Sequence, residues 1–182
     1  MIIGITGTNG AGKGTVVEYL IQKGFAHHSM SGFITEEIKR RGMPVNRDSM
    51  RIVGNDLRQI HHPAYVMEAL FLRAKEDGGD AIIEALRAIG EAEFLKKHQV
   101  PLLAVDANRK VRYERIFLRG SEKDQVSFED FSRQEDLELA QEANHEMNIN
   151  GVMKMADATV MNDGTIEELH AHVDAALAGF TK

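Results

Sequence analysis

A chain of 182 residues is the size of one domain, large enough to bury a core without disulfide or metal staples. Its 43% hydrophobic and 27% charged residues argue against a disordered chain, a collagen-like repeat and a coiled-coil rod, and the absence of cysteine excludes a disulfide scaffold, a zinc–thiolate or iron–sulfur centre and a cysteine nucleophile. A net charge of −6 argues against a protein that works by gripping a nucleic-acid backbone, although local basic clusters can still hold phosphate.

The first element is the apolar run Ile2–Thr6, read as a strand; it has no basic leader, and Gly7 ends it too early for a signal peptide. No later apolar run approaches the about 20 residues of a membrane helix, so the expectation is a cytoplasmic protein with neither a membrane nor a nucleic-acid partner. An amphipathic helix over Val16–Lys23 and a strand over Phe25–His28 follow. A helical region of about 31–76 comes next, in which Pro63 suits the first turn of a helix running through Glu76. Asp77-Gly78-Gly79-Asp80 is a turn. Ala81–Ala85 reads as a third strand, but Ile82, Ile83, Leu86 and Ile89 equally fit a helical stripe. Strands over Pro101–Asp106 and Ala158–Met161 complete the set, and capping boxes at Ser127/Asp130 and Thr165/Glu168 mark two helix starts. Strands alternating with helices predict an α/β fold with a mostly parallel five-stranded sheet flanked by helices.

Between the first strand and the first helix lies Gly7-Thr8-Asn9-Gly10-Ala11-Gly12-Lys13-Gly14-Thr15. Glycines let successive backbone N–H groups converge on phosphate oxygens, the following helix presents its positive end, and Lys13 supplies a cation for the β- and γ-phosphates. Gly7, Asn9, Gly10, Ala11, Gly12, Lys13, Gly14 and Thr15 are therefore the expected ATP-binding loop. Gly14 departs from the common pattern, in which a serine or threonine after the lysine binds magnesium; Thr15 is expected on the α-phosphate, with magnesium held more by ATP oxygens, water and acidic groups.

The Gly-Lys-Gly-Thr sequence resembles the adenylate kinase branch of the P-loop nucleoside monophosphate kinases, and the likeness weakly covers nearly the whole chain, implying one three-layer P-loop kinase domain over 1–182. Arg115 and Arg119, four residues apart on one helix face, match the family's arginine pair, of which the first lies over the adenine and the second reaches the phosphates. Arg112, on an adjacent face, is an assisting group. The polar stretch after Gly120, with the helix carrying Arg133 and Asp136, resembles a short lid at about 120–133. Residues 156–165, ending in Asn162-Asp163-Gly164-Thr165, resemble the last strand and turn of dephospho-CoA kinases and of archaeal adenylate kinase-related proteins, which implies that the backbone about Asn162 contacts the base; a plain Asn-Asp-Gly turn explains the residues as well.

On the acceptor side Ser31-Gly32 follows the second strand where relatives carry Ser/Thr-Gly-Asp, with Phe33 in place of the Asp. Arg58 and Arg87 match family arginines, and Glu84 occupies the place of the usual Asp, which orients magnesium-bound water or the attacking oxygen. The resemblance thus implies Lys13, Arg87 and Arg119 as catalytic residues, Arg115 and Asn162 at ATP, Ser31, Arg58 and Arg87 at the acceptor, and Thr15 and Glu84 at magnesium, the latter through water. Were the third strand a helix, Glu84 would be a surface charge. A nucleoside monophosphate needs an arginine clamp and no strong base, whereas an alcohol such as dephospho-CoA needs Glu84 to take its proton. The leading expectation is ATP and magnesium with a nucleoside or deoxynucleoside monophosphate; dephospho-CoA and a slow ATPase switch are the alternatives. Monomer and homodimer stay open. The adjacent pairs His27-His28 and His61-His62 diverge in direction and speak against a metal cluster, while His28, His61 and His62 flank the acceptor region.

Overall fold

In the computed structural model, which describes residues 1–118, 127–140 and 148–181, the apolar runs become one five-stranded sheet. The strands are β1 (Ile2–Gly7), β2 (Ala26–Ser29), β3 (Ala81–Glu84), β4 (Leu102–Asp106) and β5 (Ala158–Met161). They run in the order β2-β3-β1-β4-β5, and every neighbouring pair is parallel. A parallel sheet is covered on both faces, so its strands lose the alternation of a half-buried sheet. This resolves the third segment. Ala81, Ile82 and Ile83 are all fully buried and pair with β1 on one side and β2 on the other. Leu86 follows the strand, and Ile89 already belongs to the next helix.

Helices α1 (Lys13–Gln22) and α9 (Ile166–Phe180) cover one face, where Val16, Val17, Leu20, Leu169 and Val173 meet Ile3, Ile5, Ile82, Leu103 and Val105. The other face carries α2 (Met30–Arg40), α3 (Arg47–Ile60), α4 (Tyr65–Asp77), α5 (Ile89–Lys97) and α8 (Ile149–Lys154), packed through Ile34, Ile38, Val53, Leu57, Met67, Leu70 and Leu95. Gly4 is the closest point of this second face: a Cβ there would stand 2.2 Å from Leu95 Cδ1, so β1 needs a glycine for α5 to lie against it.

Three local expectations are corrected. Helix α1 begins at Lys13, three residues before the apolar stripe does, because its first turn faces the glycine-rich loop. Pro63 lies ahead of α4, in a turn where Tyr65 N–H donates to the His62 carbonyl at 3.0 Å. At Ser127 the cap is one-sided: Asp130 N–H donates to Ser127 Oγ at 3.1 Å, while the Asp130 carboxylate accepts from the same hydroxyl at 2.9 Å. The Thr165/Glu168 box is reciprocal as expected, with bonds of 2.8 and 3.2 Å.

Helix α6 (Arg109–Leu118) leads towards the expected lid. Positions 119–126, including Arg119, lie outside the described residues. Helix α7 (Phe128–Ala140) is bolted back onto α6: Arg109 meets Glu135 at 2.8 Å and Asp136 at 2.6 Å, and Arg112 meets Glu135 at 2.9 Å.

Candidate active site

The carboxyl ends of parallel strands form a crevice where the crossovers diverge, here on either side of β1. The glycine-rich loop leaves β1 at that point. Gly12 is the N-cap of α1 in the left-handed region (φ 91°), no side chain caps the helix, and its first turn holds no acidic residue. The first-turn amides and positive end of α1 therefore face the crevice with no side-chain cap over them, the arrangement a polyphosphate requires. Lys13 Nζ donates to the carbonyls of Gly7 and Thr8, both at 2.8 Å, so its cation lies back along the loop. Thr15 stands partly exposed in the first turn.

The loop is latched by the far end of the chain. Asn162 is buried and its Nδ2 donates to the Ala11 carbonyl at 2.8 Å, while its Oδ1 accepts from Arg115 Nη2 at 3.4 Å. A Cβ on Gly12 would stand 2.2 Å from Asn162 Nδ2. The Asn162 side chain thus holds the loop, and its backbone N–H donates to the Asp106 carbonyl at 2.8 Å. Arg115 sits beside Gly12, and its Nη1 is buried without a hydrogen bond. Arg112 is buried: its Nε donates to the Ala107 carbonyl at 2.8 Å, and its Nη2 pairs with Glu135.

The residues expected at the acceptor, around the end of β3, come together as well. Ser29 caps α2, accepting from Gly32 N–H at 3.2 Å, and donates to Glu84 Oε1 at 2.7 Å. Because Ser29 spends its proton on Glu84, the 2.9 Å contact between Ser29 and Ser31 has Ser31 as donor, giving a chain from Ser31 through Ser29 to Glu84. His27 Nε2 lies 3.7 Å from the same carboxylate oxygen. Glu84 ends β3, and the next residue, Ala85, turns with φ 75°, a left-handed conformation that is strained for a residue with a side chain. The turn is fastened by Ala85 N–H on the Ile5 carbonyl at 3.1 Å and Thr6 Oγ1 on the Leu86 carbonyl at 2.9 Å. Arg87 is exposed, with its main chain tied to Glu91 and Asn148. Arg58 is turned toward Glu91, Nη2 to Oε1 at 3.3 Å.

Two residues escaped the sequence reading. Asp106 ends β4 and accepts from Thr8 Oγ1 at 2.6 Å and from Ala107 N–H at 2.9 Å, tying the loop's entrance to the neighbouring strand. Its signal is a carboxylate closing the apolar run Leu102–Val105. Glu91, 1% exposed, has a fainter signal, since Ala88 lacks the hydroxyl that marks a capping box. The histidines disperse: His61 stacks on Tyr65 at 3.8 Å, His62 pairs with Glu68 at 2.8 Å, and burial pushes the His28 imidazole below its ordinary value against the pull of Asp77. Among the described residues no three histidine or carboxylate side chains gather as a metal site, and no helix is long and apolar enough to cross a membrane.

Residues 3–139 match the family model described as an AAA domain. The UPF0200 protein of Staphylothermus marinus is 29% identical over 170 residues, covering 93% of this chain and 87% of its own, and that of Pyrococcus horikoshii is 29% identical over 187 residues, covering 98% and 96%. Among solved structures, TT1252 from Thermus thermophilus superposes with a TM-score of 0.65 at 21% identity, covering 98% of this chain and 97% of its own. Shikimate kinase from Acinetobacter baumannii gives 0.63 at 17% identity (98% and 93%), and dephospho-CoA kinase from Campylobacter jejuni 0.53 at 16% (98% and 96%). These likenesses identify the three-layer arrangement as a P-loop kinase fold.

Proposed function

The chain belongs to the AAA domain family and has a P-loop kinase fold, and from that premise we propose that it transfers the γ-phosphoryl group of ATP to a small nucleotide-like acceptor. The observation that carries this reading is the uncapped start of α1 behind a lysine-bearing glycine loop, facing the same crevice as Glu84. The amides of residues 10–15 and Lys13 would hold the polyphosphate, and Arg115 would lie along the nucleotide. Arg87, with Arg119 from the segment beyond α6, would offset the charge spread over the transferring group. Thr15, and Glu84 through water, would hold magnesium, which supplies further charge neutralisation when bound. The helices of residues 31–76 would form the acceptor side of a single domain.

A nucleoside monophosphate is the leading acceptor, its ionised phosphate gripped by Arg58 and Arg87 and attacking without a base. As the new oxygen–phosphorus bond forms, the bond to the bridging oxygen breaks and ADP leaves. A second reading, an alcohol acceptor such as dephospho-CoA, is favoured by the Ser31–Ser29–Glu84 chain, because a carboxylate at the head of a hydrogen-bonded pair of hydroxyls can take the alcohol's proton. Incubation with magnesium-ATP and a panel of ribo- and deoxynucleoside monophosphates plus dephospho-CoA, with products identified by mass, decides between them. Lys13→Ala should lose turnover by at least about a hundredfold while leaving the fold intact. Wild-type rates in that variant, or ATP hydrolysis indifferent to every acceptor, would overturn the proposal.

A further inference from the structure

A buried carboxylate is costly unless its oxygens are matched by donors, and among the described residues Glu91 is the acidic side chain that is buried. Its Oε2 accepts from the main-chain N–H groups of Arg87 and Ala88 at 2.8 and 3.0 Å, which is enough to cap α5. A cap needs only that oxygen. Oε1 is turned the other way, to Arg58 Nη2 at 3.3 Å, while Arg58 Nη1 donates to Asn55 Oδ1 at 3.3 Å. Both contacts of the guanidinium are long, and they use two of its five N–H donors, so Arg58 is aimed without being saturated.

Resting on the proposed reading of Arg58 and Arg87 as acceptor contacts, we infer that Glu91 is the positioning residue of the acceptor site: one buried carboxylate fixes the main chain beneath Arg87 and holds the Arg58 guanidinium at the same crevice. Lysine at position 58 would not serve equally, since a point charge lacks the fork that spans Asn55 and Glu91 together. The juxtaposition also explains why a glutamate lies buried in a first turn whose position 88 carries no hydroxyl partner. The helix cap alone could be made by an uncharged acceptor.

Glu91→Gln separates the two duties. The amide oxygen still accepts from Arg87 and Ala88, whereas the charge facing Arg58 is gone. With whichever of the nucleoside monophosphates or dephospho-CoA is phosphorylated in the mass assay, the acceptor KM should rise about tenfold, the loss of one charge-assisted bond, with ATP KM and kcat within about twofold of wild type. In an Arg58→Ala background the same substitution should move acceptor KM by less than about twofold, because the group it acts through is absent. Glu91→Asp keeps the charge but retracts it by one methylene; it should give a smaller shift of the same kind, and serves as the test should the glutamine variant not fold. An Arg58→Ala effect on acceptor KM with none from Glu91→Gln, full additivity of the two, or an equal rise in ATP KM overturns the positioning role alone. An Arg58→Ala variant with unchanged acceptor KM, or a protein that phosphorylates no acceptor, removes the acceptor assignment and this inference with it.

Discussion

Gly12→Ala perturbs the latch on the phosphate loop at its tightest point. Gly12 sits at φ 91°, where a residue with a Cβ pays about 1–2 kcal/mol, and the added carbon would lie 2.2 Å from Asn162 Nδ2. Such an approach forces the asparagine away and breaks its 2.8 Å bond to the Ala11 carbonyl, leaving a buried polar pair unmatched at a cost of about 1–3 kcal/mol. The sum, about 2–5 kcal/mol, is a large share of the about 5–15 kcal/mol that holds a domain together. Asn162→Ala alone should lose the second part. In the double variant the clash is gone, so Gly12→Ala should add only its conformational part, about 1–2 kcal/mol. Urea unfolding of the four proteins measures the cycle, and a coupling of about 1–3 kcal/mol is expected. Equal costs for Gly12→Ala in both backgrounds would refute the contact between loop and latch.

Gly14→Ser tests the departure from the common loop: nothing lies within 4 Å of a Cβ there, so the serine should be accommodated and should raise stability by about 0.5 kcal/mol through helix propensity. A thermal midpoint well below wild type would show that the position is constrained after all. Arg40 and Arg41 beside Glu37 hold its carboxyl at about 2, below its ordinary 4.5, so its contribution is complete above about pH 4.5 and is lost as pH falls toward 2. Glu37→Gln should therefore destabilise by about 1 kcal/mol at pH 7 in urea unfolding, with a gap that narrows between pH 4.5 and pH 3; a gap that widens on acidification contradicts the sign.

The parts of this protein that announced themselves in sequence are those whose physics is local. The loop from Gly7 to Thr15 needs particular residues in an unbroken row, and the Thr165/Glu168 cap needs a hydroxyl and a carboxylate three apart. The sheet was legible because its central strands β1, β3 and β4 are apolar runs, but the third was ambiguous for the same reason: burial on both faces erases the period that separates strand from helix. Glu91 lay hidden because Ile89-Gly90-Glu91-Ala92-Glu93 reads as a charged helix start; the partner that meets the inward glutamate, Arg58, lies some thirty residues earlier in the chain and is brought alongside only by the packing of α3 against α2 and α4. Asn162 was singled out for its backbone, whereas its side chain does the holding, a role that depends on how β5 lies beside β4 and so on tertiary placement.

The latch between Ala11 and Asn162 joins groups 151 positions apart, and β1 finds its two neighbours only in β3 and β4. During synthesis the glycine-rich segment would leave the ribosome well before β3, β4 and β5, and would wait, unshaped, until those strands had emerged. Nucleotide capture is consequently a certificate of finished folding: a nascent or truncated chain ending before β5 would carry the entire loop sequence and still lack the conformation that sequence is for.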